Sequence, residues 1–110
     1  MSKKSAAQHD PIELEIPDGV PEADQAVELM RAWIADGAMM VSLNADAFGD
    51  RVGDWGRFLG EIGQHVARAA SLQGYMPEHE ALQAIREGFE TTLPQHQPAM
   101  SGKVRGRLNH

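Results

Sequence analysis

The sequence predicts a small α+β domain: a two- or three-stranded sheet packed against three helices, with disordered tails. Three observations predict it. Short runs alternate apolar and polar residues with period two, at 12–16 and 38–43. A long run from Trp55 to Leu72 repeats apolar residues at the helical period and closes on Gly74. Pro77 with Glu78 and Glu80 opens a further helix, where the positive end of the helix dipole favours acidic side chains. At 110 residues, 42% hydrophobic and 24% charged, the chain has the balance of one globular domain.

Residues 1–10 are polar and aperiodic and are expected as a disordered tail. The domain then runs over 11–93. Ile12-Glu-Leu14-Glu-Ile16 reads as a strand with one buried face, ended by the turn residues Pro17-Asp18-Gly19. Pro21 pre-sets φ for a first helix through Ala26, Val27 and Met30. Where that helix stops is open. It can continue to Asp36 with Gly37 as its C-cap, or Asp36-Gly37 can be a two-residue hairpin turn. The hairpin pairs 35 with 38, 34 with 39, 33 with 40 and 32 with 41. It sorts Met30, Ala32, Ile34, Met39, Val41 and Leu43 to one side, and that clean sorting favours it. Asn44–Asp54 is a loop rich in Asp and Gly, and Asp50 or Asp54 is the expected cap of the long helix. Leu82, Ile85 and Phe89 share a face of the last helix, which Pro94 ends. Residues 94–110 are expected as a disordered basic tail.

The long helix carries the most information. Trp55, Phe58, Leu59, Ile62, His65, Val66, Ala69 and Leu72 form a core stripe at 3.6 periodicity. Beside it runs a second stripe of minimal side chains, Gly53, Gly56, Gly60, Gly63, Ala67, Ala70 and Gly74. Each helical glycine costs about 0.8–1 kcal/mol relative to Ala, so Gly56, Gly60 and Gly63 call for compensation by close packing of another backbone. Packing inside the chain, a homodimer seam and a ligand groove all meet that need. Gly60→Leu is accordingly expected to destabilise the fold or the oligomer.

Several function classes are excluded. The chain holds 16 Asp+Glu against 10 Lys+Arg, for a net charge of −6. All the acids lie between Asp10 and Glu90, where the basic residues are Arg31, Arg51, Arg57, Arg68 and Arg86. So acidic a body repels phosphate backbones, leaving the basic stretch Lys103-Val-Arg105-Gly-Arg107 as the sole candidate for nucleic acid. There is no Cys, which excludes disulfides and thiolate metal sites. No apolar run approaches the roughly 20 residues of a membrane span, and no signal peptide stands at the N-terminus, so a cytoplasmic protein is expected.

Asn44–Trp55 lacks the ligands of a calcium loop at its fifth and twelfth positions, Phe48 and Trp55. Gly49–Gly56 lacks the Lys-Ser/Thr of a phosphate loop. No two His sit at i, i+4, so neither a metal nor a cofactor is expected. Trp33, Trp55, His65 and Arg68 are the candidate ligand- or partner-binding residues, with a core-anchoring role as the simpler account of each. His65 has no nucleophile placed beside it by any recognisable motif, and no catalytic residue is assigned.

Trp55-Gly56…Leu59…His65-Val66-Ala67-Arg68-Ala69, followed by Ile85-Arg86-Glu87-Gly88-Phe89, resembles a family of short alphaproteobacterial proteins known as domain of unknown function 5076. Ala26-Val-Glu-Leu-Met-Arg31-Ala-Trp33-Ile-Ala-Asp-Gly37 ahead of Val41-Ser42-Leu43 fits the same pattern. The likeness spans roughly 12–90. It implies a recurring small mixed α and β domain and carries no activity, cofactor or site residue. The leading expectation is a non-enzymatic cytoplasmic interaction or regulatory module, self-associating or bound to a protein partner. The alternative is a small-molecule-binding or minor enzymatic domain with a pocket near His65 and Trp55.

Overall fold

The structure, a computed structural model, describes residues 10–95 and the backbone of 101–105. In chain order it contains α1 (Gly19–Glu22), β1 (Met30–Ala35), β2 (Ala38–Asn44), a 3-10 turn (Ala45–Ala47), α2 (Gly53–Leu72), α3 (Glu78–Thr92) and β3 (Ser101–Arg105). The class is α+β.

The β1–β2 hairpin resolves the ambiguity around Asp36. Asp36 and Gly37 both take positive φ, 51° and 81°, the combination of a type I′ turn whose twist suits two antiparallel strands. The register follows the turn: Ala35↔Ala38, Ile34↔Met39, Trp33↔Met40 and Ala32↔Val41, continuing to Met30↔Leu43. The first helix is correspondingly shorter than the sequence suggests. Ala23 is already extended (ψ 148°), so a single turn survives, and the chain from Met30 onward is strand. One turn gains little from propagation, whereas the hairpin gains a full ladder.

Two further expectations are corrected. Residues 12–16 carry strand-like alternation but form no strand, and Ile12 and Leu14 are 92% and 90% exposed. Alternation supplies an apolar edge without supplying a neighbour. The segment touches the sheet through Arg31, whose guanidinium donates to Glu13 Oε2 at 2.8 Å and also meets Glu28 at 3.1 Å. Conversely, β3 lies within 94–110, where no regular structure is expected, and its backbone pairs in parallel with β2 from Met40↔Ser101 to Asn44↔Arg105. The sheet is three-stranded, in the order β1-β2-β3.

The start of α2 also differs. Val52 is its N-cap, and neither Asp50 nor Asp54 caps it through a side chain. Its first N–H groups bond instead to the preceding turn, Asp54 to the carbonyl of Arg51 and Trp55 to that of Val52, both at 3.0 Å. Asp54 sits between Arg51 and Arg57, 3.4 Å from each, so Arg57 pairs backward within the first turn of the helix. The other end follows the sequence. Gly74 takes φ 82°, its N–H meets the Ser71 carbonyl, and the Tyr75 N–H meets that of Ala70, a Schellman closure.

The short connection from Gln73 to Pro77 folds α3 back along α2. The seam between them runs along the small-residue stripe. Ala67 and Ala81 are buried, and a Cβ built on Gly63 would stand 3.5 Å from Ile85 Cγ2. The large apolar stripe expected in the core is left outside: Leu59, Ile62, Val66 and Leu72 are 38, 42, 50 and 77% exposed. His65 and Ala69 are exposed with them, while Trp55 and Phe58 are half-buried. Small side chains let two helices approach closely, and once that approach is made the bulkier stripe is turned aside. Among the described residues, helices pack on helices, strands on strands, and β3 on the 3-10 turn, with no comparable contact joining the sheet to the helix pair. Among the described residues the buried hydrophobic set is Val41, Ala67 and Ala81.

Candidate interaction site

The glycines of α2 divide along its length. Gly63 is in contact with α3, whereas a Cβ on Gly56 or Gly60 would meet nothing within 4 Å. Ahead of the seam, therefore, the two helices diverge and leave an open groove of about 590 Å³. Gly56, Gly60 and Gly63 line its α2 side. Leu59 with Leu82, Ile85 and Phe89 supplies apolar surface, and Arg57, Glu61, Arg86 and Glu90 supply charge of both signs. Each helix presents Arg followed four residues later by Glu.

That division changes what the glycines predict. Gly60→Ala is expected to stabilise the chain by about 0.8–1 kcal/mol, the helical cost of glycine, because no neighbour opposes the new methyl. Gly63→Leu is expected to destabilise it by roughly 1–3 kcal/mol by forcing Ile85 away. Urea denaturation of both variants checks the pair; equal effects of the same sign would overturn the division. For Gly60→Leu, the Cβ itself meets no described neighbour within 4 Å.

The candidate binding residues are not gathered into one site. Trp33 is half-buried in β1. Trp55 stands at the foot of α2 in an aromatic corner, edge-on to Phe48 at 5.0 Å and to Phe58 at 5.8 Å between ring centroids. His65 and Arg68 are exposed farther along α2. Ten residues of helix put His65 about 15 Å along the axis from Trp55. A second cleft is lined by 26–31 and 42–44, and a third by Ile85, Gly88, Phe89, Thr92 and Leu93. Trp33, Trp55, His65 and Arg68 line none of these three clefts. In the second cleft the Asn44 Oδ1 is buried without a hydrogen-bond partner. Among the described residues, no three His, Cys, Asp or Glu side chains gather as a metal site requires.

Sequence reasoning placed Leu82, Ile85 and Phe89 in a core face and passed over Arg86 and Glu90. The repeated Arg-to-Glu spacing on both helices was the signal available for the groove.

No helix of the described residues is long and apolar enough to cross a membrane. A comparison with curated proteins finds no match. Among solved structures, the chain is similar to a protein from the photosynthetic bacterium Rhodopseudomonas palustrus described as "a putative pyruvate dehydrogenase". That match has 31% identity and a TM-score of 0.66, and covers 84% of this chain and 95% of the other. Residues 13–97 match the family model described as Domain of unknown function (DUF5076), and the chain belongs to that family.

Proposed function

We propose that the protein is a non-enzymatic cytoplasmic interaction module whose working form is a homodimer. One observation carries this reading: the apolar surfaces that the sequence builds as core lie open in the single chain. The α2 stripe of Leu59, Ile62, Val66 and Leu72 is exposed, as are Ile34 at 73% and Met39 at 48% on the hairpin. Contiguous apolar surface of this kind marks an interaction site. A small domain without disulfides has few other means of stabilisation than association.

The enzymatic reading offered by the name of the Rhodopseudomonas protein has less behind it. Decarboxylating a 2-oxo acid calls for an electron-sink cofactor such as a thiamine ylid, with its diphosphate held through a metal by carboxylates. The described residues offer no such carboxylate cluster, and the charges lining the groove alternate in sign. The groove volume, about 590 Å³, does fall in the range of small-molecule sites and supports ligand binding as the second reading.

Sedimentation equilibrium of the full chain tests the proposal. The expected result is twice the chain mass, with association strengthening as salt rises because each copy carries a net charge of −6. A monomer at every concentration and salt would overturn it.

A further inference from the structure

We propose that the open edge of β1 is a strand-addition site and that its occupant is the chain's own segment 12–16. The sheet order β1-β2-β3 leaves β1 at an edge. The hairpin fixes which backbone groups of that edge are free. In a two-residue hairpin the residues flanking the turn, Ala35 and Ala38, exchange both backbone hydrogen bonds, and bonded pairs then alternate with unbonded ones. Trp33↔Met40 and Arg31↔Ser42 are bonded pairs by this count. The ladder continues in phase, since the Asn44 N–H donates to the Leu29 carbonyl at 2.9 Å. Met30, Ala32 and Ile34 therefore turn their N–H and C=O groups away from β2, and among the described residues no other backbone group meets them.

Segment 12–16 has the complementary features. Among the described residues its backbone is unpaired, and Ile12, Leu14 and Ile16 are 92, 90 and 64% exposed. It already touches this edge, where the Arg31 guanidinium donates to Glu13 Oε2 at 2.8 Å. That contact names the occupant and sets its face. Successive side chains of a strand alternate, so pairing through Glu13 and Arg31 puts Ile12, Leu14 and Ile16 on the side of Met30, Ala32 and Ile34. There they widen the apolar face that continues across the hairpin through Met39 and buried Val41. A slip of one residue would set the apolar side chains beside Arg31 and Trp33 and part the ion pair.

Run antiparallel with Glu13 opposite Arg31, the segment pairs Ile12 with Ala32 and Leu14 with Met30. Both pairs fall on the free groups of β1, and each can exchange both backbone hydrogen bonds. Glu13 and Arg31 then form an unbonded pair, the kind in which side chains stand closest. Pro11 falls opposite Trp33, whose backbone groups are engaged with β2, so its missing N–H costs no bond. In the structure the ion pair holds the segment at the edge with this ladder unmade. Closing the ladder adds a strand to the sheet and covers an edge otherwise open to other chains. The inference concerns a single chain and stands apart from the self-association reading.

Amide hydrogen exchange of the full-length chain, followed by NMR, reads the ladder residue by residue. Ile12, Leu14, Met30 and Ala32 are expected to exchange about tenfold or more below free-peptide rates, with Glu13 and Glu15 fast between them. Ala32→Pro removes a donor that β2 does not use. It should keep the protection of Trp33 and Met40 in the hairpin while abolishing that of Ile12 and Leu14. Free-peptide exchange at Ile12 and Leu14 in the parent chain, or protection there that survives Ala32→Pro, would overturn the inference. A Glu13→Cys/Arg31→Cys variant identifies the occupant, because the chain has no other Cys. Oxidation of a dilute sample is expected to close the disulfide within single chains. Disulfides between chains in its place would assign the edge to a second copy and overturn the inference as well.

Discussion

Ile62→Asp is expected to convert the self-associated protein into a monomer. Ile62 lies at the centre of the exposed α2 stripe, flanked by Leu59 and Val66 one turn away on either side. A carboxylate there must either be desolvated in the interface or keep the interface from closing. Central interface positions commonly cost 2 kcal/mol or more on truncation, and a two-fold assembly meets the loss twice. About 4 kcal/mol corresponds to a rise of roughly a thousandfold in Kd. The helix pair itself does not depend on this stripe, since its seam uses Gly63, Ala67, Ala81 and Ile85. Far-ultraviolet circular dichroism should therefore keep its helical signal while sedimentation shifts to the monomer. An unchanged Kd would place the interface elsewhere.

Deleting residues 101–110 is expected to produce the largest loss of stability in the sheet. Read as a solvated tail, the segment would be dispensable. As β3 it forms one side of the β2 ladder, from Met40↔Ser101 to Asn44↔Arg105. Removing it leaves an isolated two-stranded hairpin, which is marginal in water. A few net backbone hydrogen bonds amount to about 2–4 kcal/mol. At roughly 4–8 °C per kcal/mol for a domain of this size, the Tm should fall by about 8–32 °C. The bared β2 edge should also promote aggregation. Because the sheet and the helix pair share little contact, the near-ultraviolet signal of Trp33 should melt before the helical signal. An unaltered Tm would return the segment to the status of a tail.

Both expectations turn on what was legible in the sequence. The hairpin was legible as one of two readings: Asp36-Gly37 fits a type I′ turn that sets every pairing behind it, while Gly37 fits a helix C-cap as well, and the left-handed Asp36 and Gly37 decide for the turn. The extents of α2 and α3 were legible from periodicity, the left-handed Gly74 and Pro77. The capping of α2 was not, since a turn of backbone hydrogen bonds met the need that Asp50 or Asp54 was expected to meet. The alternation in 12–16 looked like a strand yet has no ladder, and Ser101–Arg105 looked like a tail yet has one. In each case the deciding neighbour lies far away along the chain.

The candidate site shows the same limit. Trp33, Trp55, His65 and Arg68 are conspicuous by residue type, but the fold spreads them over a strand, a corner and an exposed helix surface. The groove that does form is made by glycines whose role depends on where α3 diverges from α2.

By itself, then, the sequence determined the elements governed by contacts within a few residues: the turn, the helix periods, the Schellman closure and the presence of two stripes on α2. The tertiary structure alone decided which stripe meets α3, that β3 completes the sheet, and that among the described residues the sheet shares little contact with the helices. An apolar stripe requires a cover but does not encode which one. The choice belongs to the closest approach the backbones can make, and small side chains at Gly63, Ala67 and Ala81 won it for the narrow stripe.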